Sequence, residues 1–140
     1  MAYNLLEGKK GIIFGALDNK SIAWKVAERS HEEGAVFTLT NTPTAMRFGE
    51  LDELAKKTGS EIIPADATNI NDLENLIQKS MEILGGQVDF ILHSIGMSLN
   101  VRKKKLYNDL NYDFFVKTKR KLEAALMRAA IQPELPEPAS

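Results

Sequence analysis

The sequence predicts an α/β fold built on a parallel sheet, and three observations carry that reading. Short apolar runs suited to strands recur at Gly11–Phe14, Val36–Thr40, Glu61–Ile63 and Val88–His93. Between them lie longer segments whose apolar residues return every three or four positions. The connections are short, and glycines stand where the helical patterns stop, at Gly34, Gly59 and Gly85-Gly86. Strands that alternate with helices run parallel, with helices on both faces. Right-handed crossovers then set four strands in the order 3-2-1-4, half of a doubly wound sheet. The expected architecture is Rossmann-like: three layers and a parallel sheet of about four strands, which leaves it incomplete.

The first helix is expected from about Ser21 to Glu33, with Ile22, Val26 and Ala27 on its buried face. The second runs roughly from Ala45 to Thr58 and buries Leu51, Leu54 and Ala55. In the third, Asn71 and Glu74 have the spacing of a capping box, and Leu73, Leu76, Ile77, Met81 and Leu84 form one core stripe.

At 140 residues the chain has the length of one domain. A net charge of −1 gives it no nucleic-acid footprint as a whole. It has no cysteine, which removes disulfides, thiol catalysis and thiolate metal sites. Met1–Lys10 lacks the apolar core of a signal peptide, and no apolar run approaches a membrane span. The expected location is the cytoplasm, with no membrane or nucleic-acid partner and no metal site.

In a doubly wound sheet, ligands sit at the C-terminal ends of the strands. That selects Gly15–Ser21, Asn41–Thr42, Asp66–Ala67 and Ser94–Gly96. The first is the most informative: an apolar strand ends in Gly15, and a polar loop leads into a helix at Ser21. Glycine lets the main chain approach a ligand closely, and the helix start offers N–H groups and the positive end of a dipole to a diphosphate. The spacing departs from G-x-G-x-x-G, because Gly15 is followed six positions later by Ser21, placed to cap the helix and donate its hydroxyl. A plain strand-to-helix turn is the alternative. Asp66 is placed to accept from the exocyclic amine of adenine, or only to order the next helix start. Ser94 and Gly96 would let a nicotinamide ribose pass, or form a tight turn.

The acid that usually follows the second strand of an NAD site is absent from Thr40-Asn41-Thr42. Arg47 reads as a solvated helix residue, with contact to a 2′-phosphate as the alternative, so the choice between NADH and NADPH stays open. His31 reads as surface, and His93 as a satisfied structural residue. Residues 102–121 hold eight basic and two acidic side chains with Tyr107, Tyr112 and Phe114 among them, read as a solvated face, with an acidic protein partner and then nucleic acid as the alternatives.

Taken together, Gly15…Ser21-Ile22-Ala23, Asp66-Ala67, His93-Ser94-Ile95-Gly96 and Asn111-Tyr112-Asp113-Phe114 resemble the NADH-dependent enoyl-acyl-carrier-protein reductases of bacterial fatty acid synthesis. These belong to the short-chain dehydrogenase/reductase superfamily, and the wording resembles a Bacteroidetes-type member. The resemblance covers residues 1 to about 114. It implies that Gly15, Leu17, Ser21 and Ile22 hold the diphosphate and its ribose. Thr42 would lie near the adenosine ribose, Asp66 and Ala67 would flank adenine, and Ser94, Ile95 and Gly96 would line the path to the nicotinamide. The implied reaction is hydride transfer from NADH to a 2-enoyl thioester on acyl carrier protein, in a homotetramer.

The family's catalytic Tyr-x6-Lys pair and substrate loop lie beyond a fifth strand that this sequence does not reach. No catalytic residue is therefore assigned, and the chain alone is expected to be inactive. Tyr112 and Lys119 share the spacing by coincidence, since Tyr112 matches a different family position. The expected organisation is a cofactor-binding half over residues 1–114, a basic helix over 115–131 that alters the family's tetramer segment, and a Pro-rich tail over 132–140. Strand 4 becomes an apolar edge, which predicts marginal stability. A non-catalytic dinucleotide-binding fragment or truncation product is the alternative. A receiver-type signalling domain, with Asp66 as phosphate acceptor, would need acids where Gly15-Ala16 stand.

Overall fold

A computed structural model describes residues 2–47, 49–95, 103–104, 106–114 and 116. Two compact units divide at residues 95 and 96. Among the described residues, the first holds the strands and α-helices, in the order β1 (Lys10–Phe14), α1 (Ile22–Glu32), β2 (Val36–Thr40), α2 (Pro43–Met46), α3 (Leu51–Thr58), α4 (Ile70–Leu84) and β3 (Phe90–His93). The second contains a 3₁₀ turn at Tyr107–Asp109 and Lys103 Nζ lying 5.0 Å from the centroid of the Phe114 ring. The basic helix and the Pro-rich tail expected beyond residue 116 lie outside the described residues.

The sheet is parallel, in the order β2-β1-β3. It reproduces the expected 2-1-4 pairing, and the expected third strand is the difference. Residues 61–65 follow the outer edge of β2 through Leu39 N–H to Glu61 O (2.9 Å), Ile63 N–H to Leu39 O (2.9 Å) and Ala65 N–H to Asn41 O (3.1 Å). They register as a single bridge, Leu39 to Ile62. The run is three residues long and Pro64 follows it, a residue suited to sheet edges.

Pleating sends alternate residues to opposite faces. Ile13, Phe37 and Leu39 join Ala23, Trp24 and Ala27 of α1 and Leu51 and Leu54 of α3 in one core cluster, against which Phe90 and Leu92 pack. The opposite face carries Ile12, Phe14, Thr38 and Thr40, and Thr38 bonds Ser80 of α4 across 2.8 Å with both side chains fully buried. Helices on both sides make the third layer. Gly11 sits opposite Phe90, and a Cβ there would fall 2.7 Å from Phe90 Cδ2, so its absence leaves the slot the ring occupies.

The helices differ from expectation in face and boundary. α1 buries Ala23, Trp24, Ala27 and Ser30 and leaves Ile22 75% exposed, because the indole and the small residues fit the sheet more closely than the branched chains do. The segment 45–58 is two helices. The Thr42 hydroxyl accepts from Ala45 N–H (3.2 Å) and Pro43 takes the first position of α2, so a short helix starts there and breaks before Leu51. α4 is capped by Asn69, which accepts from Asn71 and Asp72 N–H, and the expected box at Asn71 lies inside the helix.

Two carboxylates, on α1 and just after it, tie that helix to its neighbours. Glu28 accepts from Lys57 Nζ on α3 (2.7 Å), Trp24 Nε1 (3.0 Å) and Lys25 Nζ (3.3 Å). Lys57 foremost, then Trp24, lower its pKa to about 2. Buried Glu33 accepts from the N–H groups of Tyr3 (2.8 Å) and Leu5 (3.2 Å) and from Arg29, which clips the N-terminal segment onto α1. The Tyr3 N–H foremost holds its carboxyl below the ordinary value.

Candidate functional site

Because the strands are parallel, the loops after β1, after β2, after the bridge segment and after β3 leave the same edge of the sheet. Gly15 is the closest point of approach. Its φ is +89°, and a Cβ would overlap the Ser94 carbonyl, lying 2.7 Å from its carbon and 3.0 Å from Ile95 Cγ2. Its N–H donates to Thr40 O (3.2 Å). The loop is then turned inward: Ala16 O accepts from Asn41 Nδ2 (3.0 Å), and Leu17 O from Glu50 N–H (2.8 Å). Gly49 permits the second contact, since a Cβ there would come 2.7 Å from Leu17 O.

Ser21 stands at the helix start as expected, with extended φ and ψ, but its hydroxyl does not cap α1. It accepts from Leu17 N–H (3.2 Å) and donates to Asp18 O (2.7 Å). Among the described residues, the first turn of α1 therefore has no side-chain cap from Ser21 and no acid of its own, beside the exposed Ile22. Uncapped N–H groups at the positive end of an eleven-residue helix suit an anion such as phosphate.

The other expected residues surround this edge. Thr42 gives its N–H to Asn41 Oδ1 (2.8 Å), and its hydroxyl caps α2. Asp66 is half-buried, and its Oδ1 accepts from Thr68 N–H and Oγ1, each at 2.8 Å, so the carboxylate does order the following helix start. Its own N–H donates to Asp72 Oδ2 (2.9 Å). Ala67, Ser94 and Ile95 are half-buried, and Gly96 lies outside the described residues. Arg47 is exposed just after α2, and His31 is exposed as expected. The expectation that His93 is satisfied does not hold. Its ring stacks on Phe14 at 6.2 Å, and its buried Nε2 has no hydrogen-bond partner among the described residues. Among the described residues, no three His, Asp or Glu side chains cluster to hold a metal, and no helix is long and apolar enough to cross a membrane. Sequence reasoning named Asn41 only as a strand-end position and passed over Gly49 and Glu50. An Asn between the end of a strand and a Thr-Pro helix start was the available signal.

A three-layer parallel sheet whose strand-end loops gather around a glycine turn and an uncapped helix start defines a Rossmann-type α/β unit. A family model described as "Enoyl-(Acyl carrier protein) reductase" matches residues 15–130, past the Phe114 at which the motif resemblance was drawn to stop. The chain belongs to this family. It is 31% identical over 115 residues to enoyl-[acyl-carrier-protein] reductase [NADH] 2 of Rhizobium meliloti, covering 81% of this chain and 42% of that protein. It also superposes on FabI of Alistipes finegoldii, solved as an NADH complex, with a TM-score of 0.83 and 55% identity, over 91% of this chain and 47% of the other. The Bacteroidetes-type wording is borne out by that similarity. The enoyl-(acyl-carrier-protein) reductase of Anaplasma phagocytophilum, solved in complex with NAD, gives a TM-score of 0.76 at 26% identity, over 92% of this chain and 50% of the other. The chain thus spans about half or less of the length of these relatives.

Proposed function

We propose that these residues are the cofactor-holding part of an NADH-dependent reductase acting on 2-enoyl thioesters of acyl carrier protein in fatty acid synthesis. The observation that carries the reading is Gly15, whose missing Cβ lets the loop seat against Ser94 while the start of α1 stays uncapped. That cradle fits a dinucleotide. Gly15, Leu17, Ser21 and Ile22 bind the diphosphate and its ribose. Thr42 lies against the adenosine ribose, Asp66 and Ala67 flank adenine, and Ser94, Ile95 and Gly96 border the nicotinamide side. When bound, NADH supplies the hydride that reduces the enoyl double bond. The acyl-carrier-protein substrate and a cytoplasmic setting belong to the same proposal, while the altered sequence after residue 114 counts against the family's homotetramer in this chain. The names of relatives, which specify NADH, favour NADH over NADPH.

Thermal unfolding of the chain with and without millimolar NADH tests this reading. A ligand at about one hundred times its Kd that binds only the folded state stabilises it by about 2.7 kcal/mol, so the transition should move up by several degrees. A cooperative transition indifferent to NADH would refute the proposal.

A further inference from the structure

Asn41 touches three strand-end loops at once. Its Nδ2 donates to Ala16 O (3.0 Å) after β1, its Oδ1 accepts from Thr42 N–H (2.8 Å) after β2, and its main-chain carbonyl accepts from Ala65 N–H (3.1 Å) just before Asp66. On the function proposed above, these loops serve different parts of one dinucleotide: the diphosphate, the adenosine ribose and the adenine. The Ala16–Leu17 peptide is held from both sides. Its C=O meets Asn41, and its N–H meets the Ser21 hydroxyl (3.2 Å). A trans peptide is rigid, so fixing the carbonyl also fixes the direction of the N–H. Asn41 therefore aims the donor that draws the Ser21 hydroxyl away from the start of α1.

We infer that Asn41 is a positioning residue that sets the distance between the diphosphate cradle and the adenosine pocket, so that both ends of NADH engage together. The inference rests on the dinucleotide reading. It does not require Asn41 to touch the cofactor.

The test compares NADH with adenosine, which engages only one end. Asn41→Ser keeps a hydroxyl that can accept from Thr42 N–H in a local turn but is too short to reach Ala16. Loss of the bridge should weaken NADH about five- to tenfold while adenosine changes by less than about twofold, the size expected for one net hydrogen bond. The readout is the ratio of the two dissociation constants, by NADH fluorescence and by chemical-shift titration. A smaller folded fraction weakens both ligands equally and cancels in the ratio, so Asn41→Ala serves as a second variant even if it is less stable. A rise of about fivefold in the NADH-to-adenosine ratio of dissociation constants in both variants supports positioning by the scale of that one bond. An unchanged ratio overturns it while leaving the dinucleotide reading intact. A wild-type chain that binds adenosine and NADH equally, or neither, overturns both.

Discussion

Replacing Gly15 by alanine separates two costs that the structure makes distinct. The first is conformational: a φ of +89° lies in the left-handed region, which costs a non-glycine residue about 1–2 kcal/mol. The second is steric, because the new Cβ would meet the Ser94 carbonyl carbon at 2.7 Å and Ile95 Cγ2 at 3.0 Å. Forcing an extra methyl into packed structure costs about 1–3 kcal/mol more. At a denaturant slope of about 2 kcal/mol/M, the sum of about 2–5 kcal/mol lowers the urea midpoint by about 1–2.5 M. Gly59 provides the control. It has φ +64° at the end of α3, and a Cβ there meets nothing within 4 Å. Gly59→Ala should show only the conformational cost, a midpoint loss of about 0.5–1 M. Gly15→Ala should also lose the NADH-dependent rise in melting temperature, and Gly59→Ala should keep it. Equal midpoints in the two variants, or an NADH response retained in Gly15→Ala, would refute the argument that close approach to Ser94 is why position 15 is glycine.

Two further outcomes follow from buried contacts. Thr38→Val strands the Ser80 hydroxyl in the interior and should cost about 1–3 kcal/mol, whereas Thr38→Val with Ser80→Ala should recover most of it, since removing both partners is nearly neutral; additive losses in a urea double-mutant cycle would contradict the pairing. Glu28 and Glu33 both have lowered pKa values in the fold, so each binds fewer protons there than in the unfolded chain, and their stabilisation is complete above the ordinary value of 4.5. The Glu28 share drains away as the pH falls from 4.5 towards about 2, and Glu28→Gln should flatten that part of the midpoint-against-pH curve; an unchanged slope would remove Glu28 as its source.

The parts of the fold that could be read from sequence are those where local chemistry and packing agree. β1 and its loop are legible because an apolar run meets a glycine at a positive φ that favours glycine. α4 is legible because its core stripe persists over the whole helix, with Leu73, Leu76 and Ile77 buried. Disagreement begins where tertiary contacts decide. Pairing of residues 61–65 depends on how long β2 continues beyond Thr40, which no local pattern records. Hydrophobicity alone chose Ile22 and Val26 for the face of α1 that in fact belongs to Ala23, Trp24 and Ala27. At the site, Gly15 and Ser21 were found from their spacing, but the direction of the Ser21 hydroxyl depends on Leu17 and Asn41, the latter twenty residues further on in the chain.

The central place of β1 also sets an order of assembly. Its register joins Phe14 to Thr40 on one side and to His93 on the other. During synthesis, β1, α1 and β2 are complete well before Phe90 leaves the ribosome. The far edge of β1, with the slot at Gly11 shaped for an absent ring, waits for 76 further residues, roughly 4–15 s at ordinary elongation rates. Pairing across so long a loop is slow and comes late, so the nascent chain passes through an interval in which an apolar central strand has only one neighbour. Mutations that delay docking of Phe90 lengthen that interval.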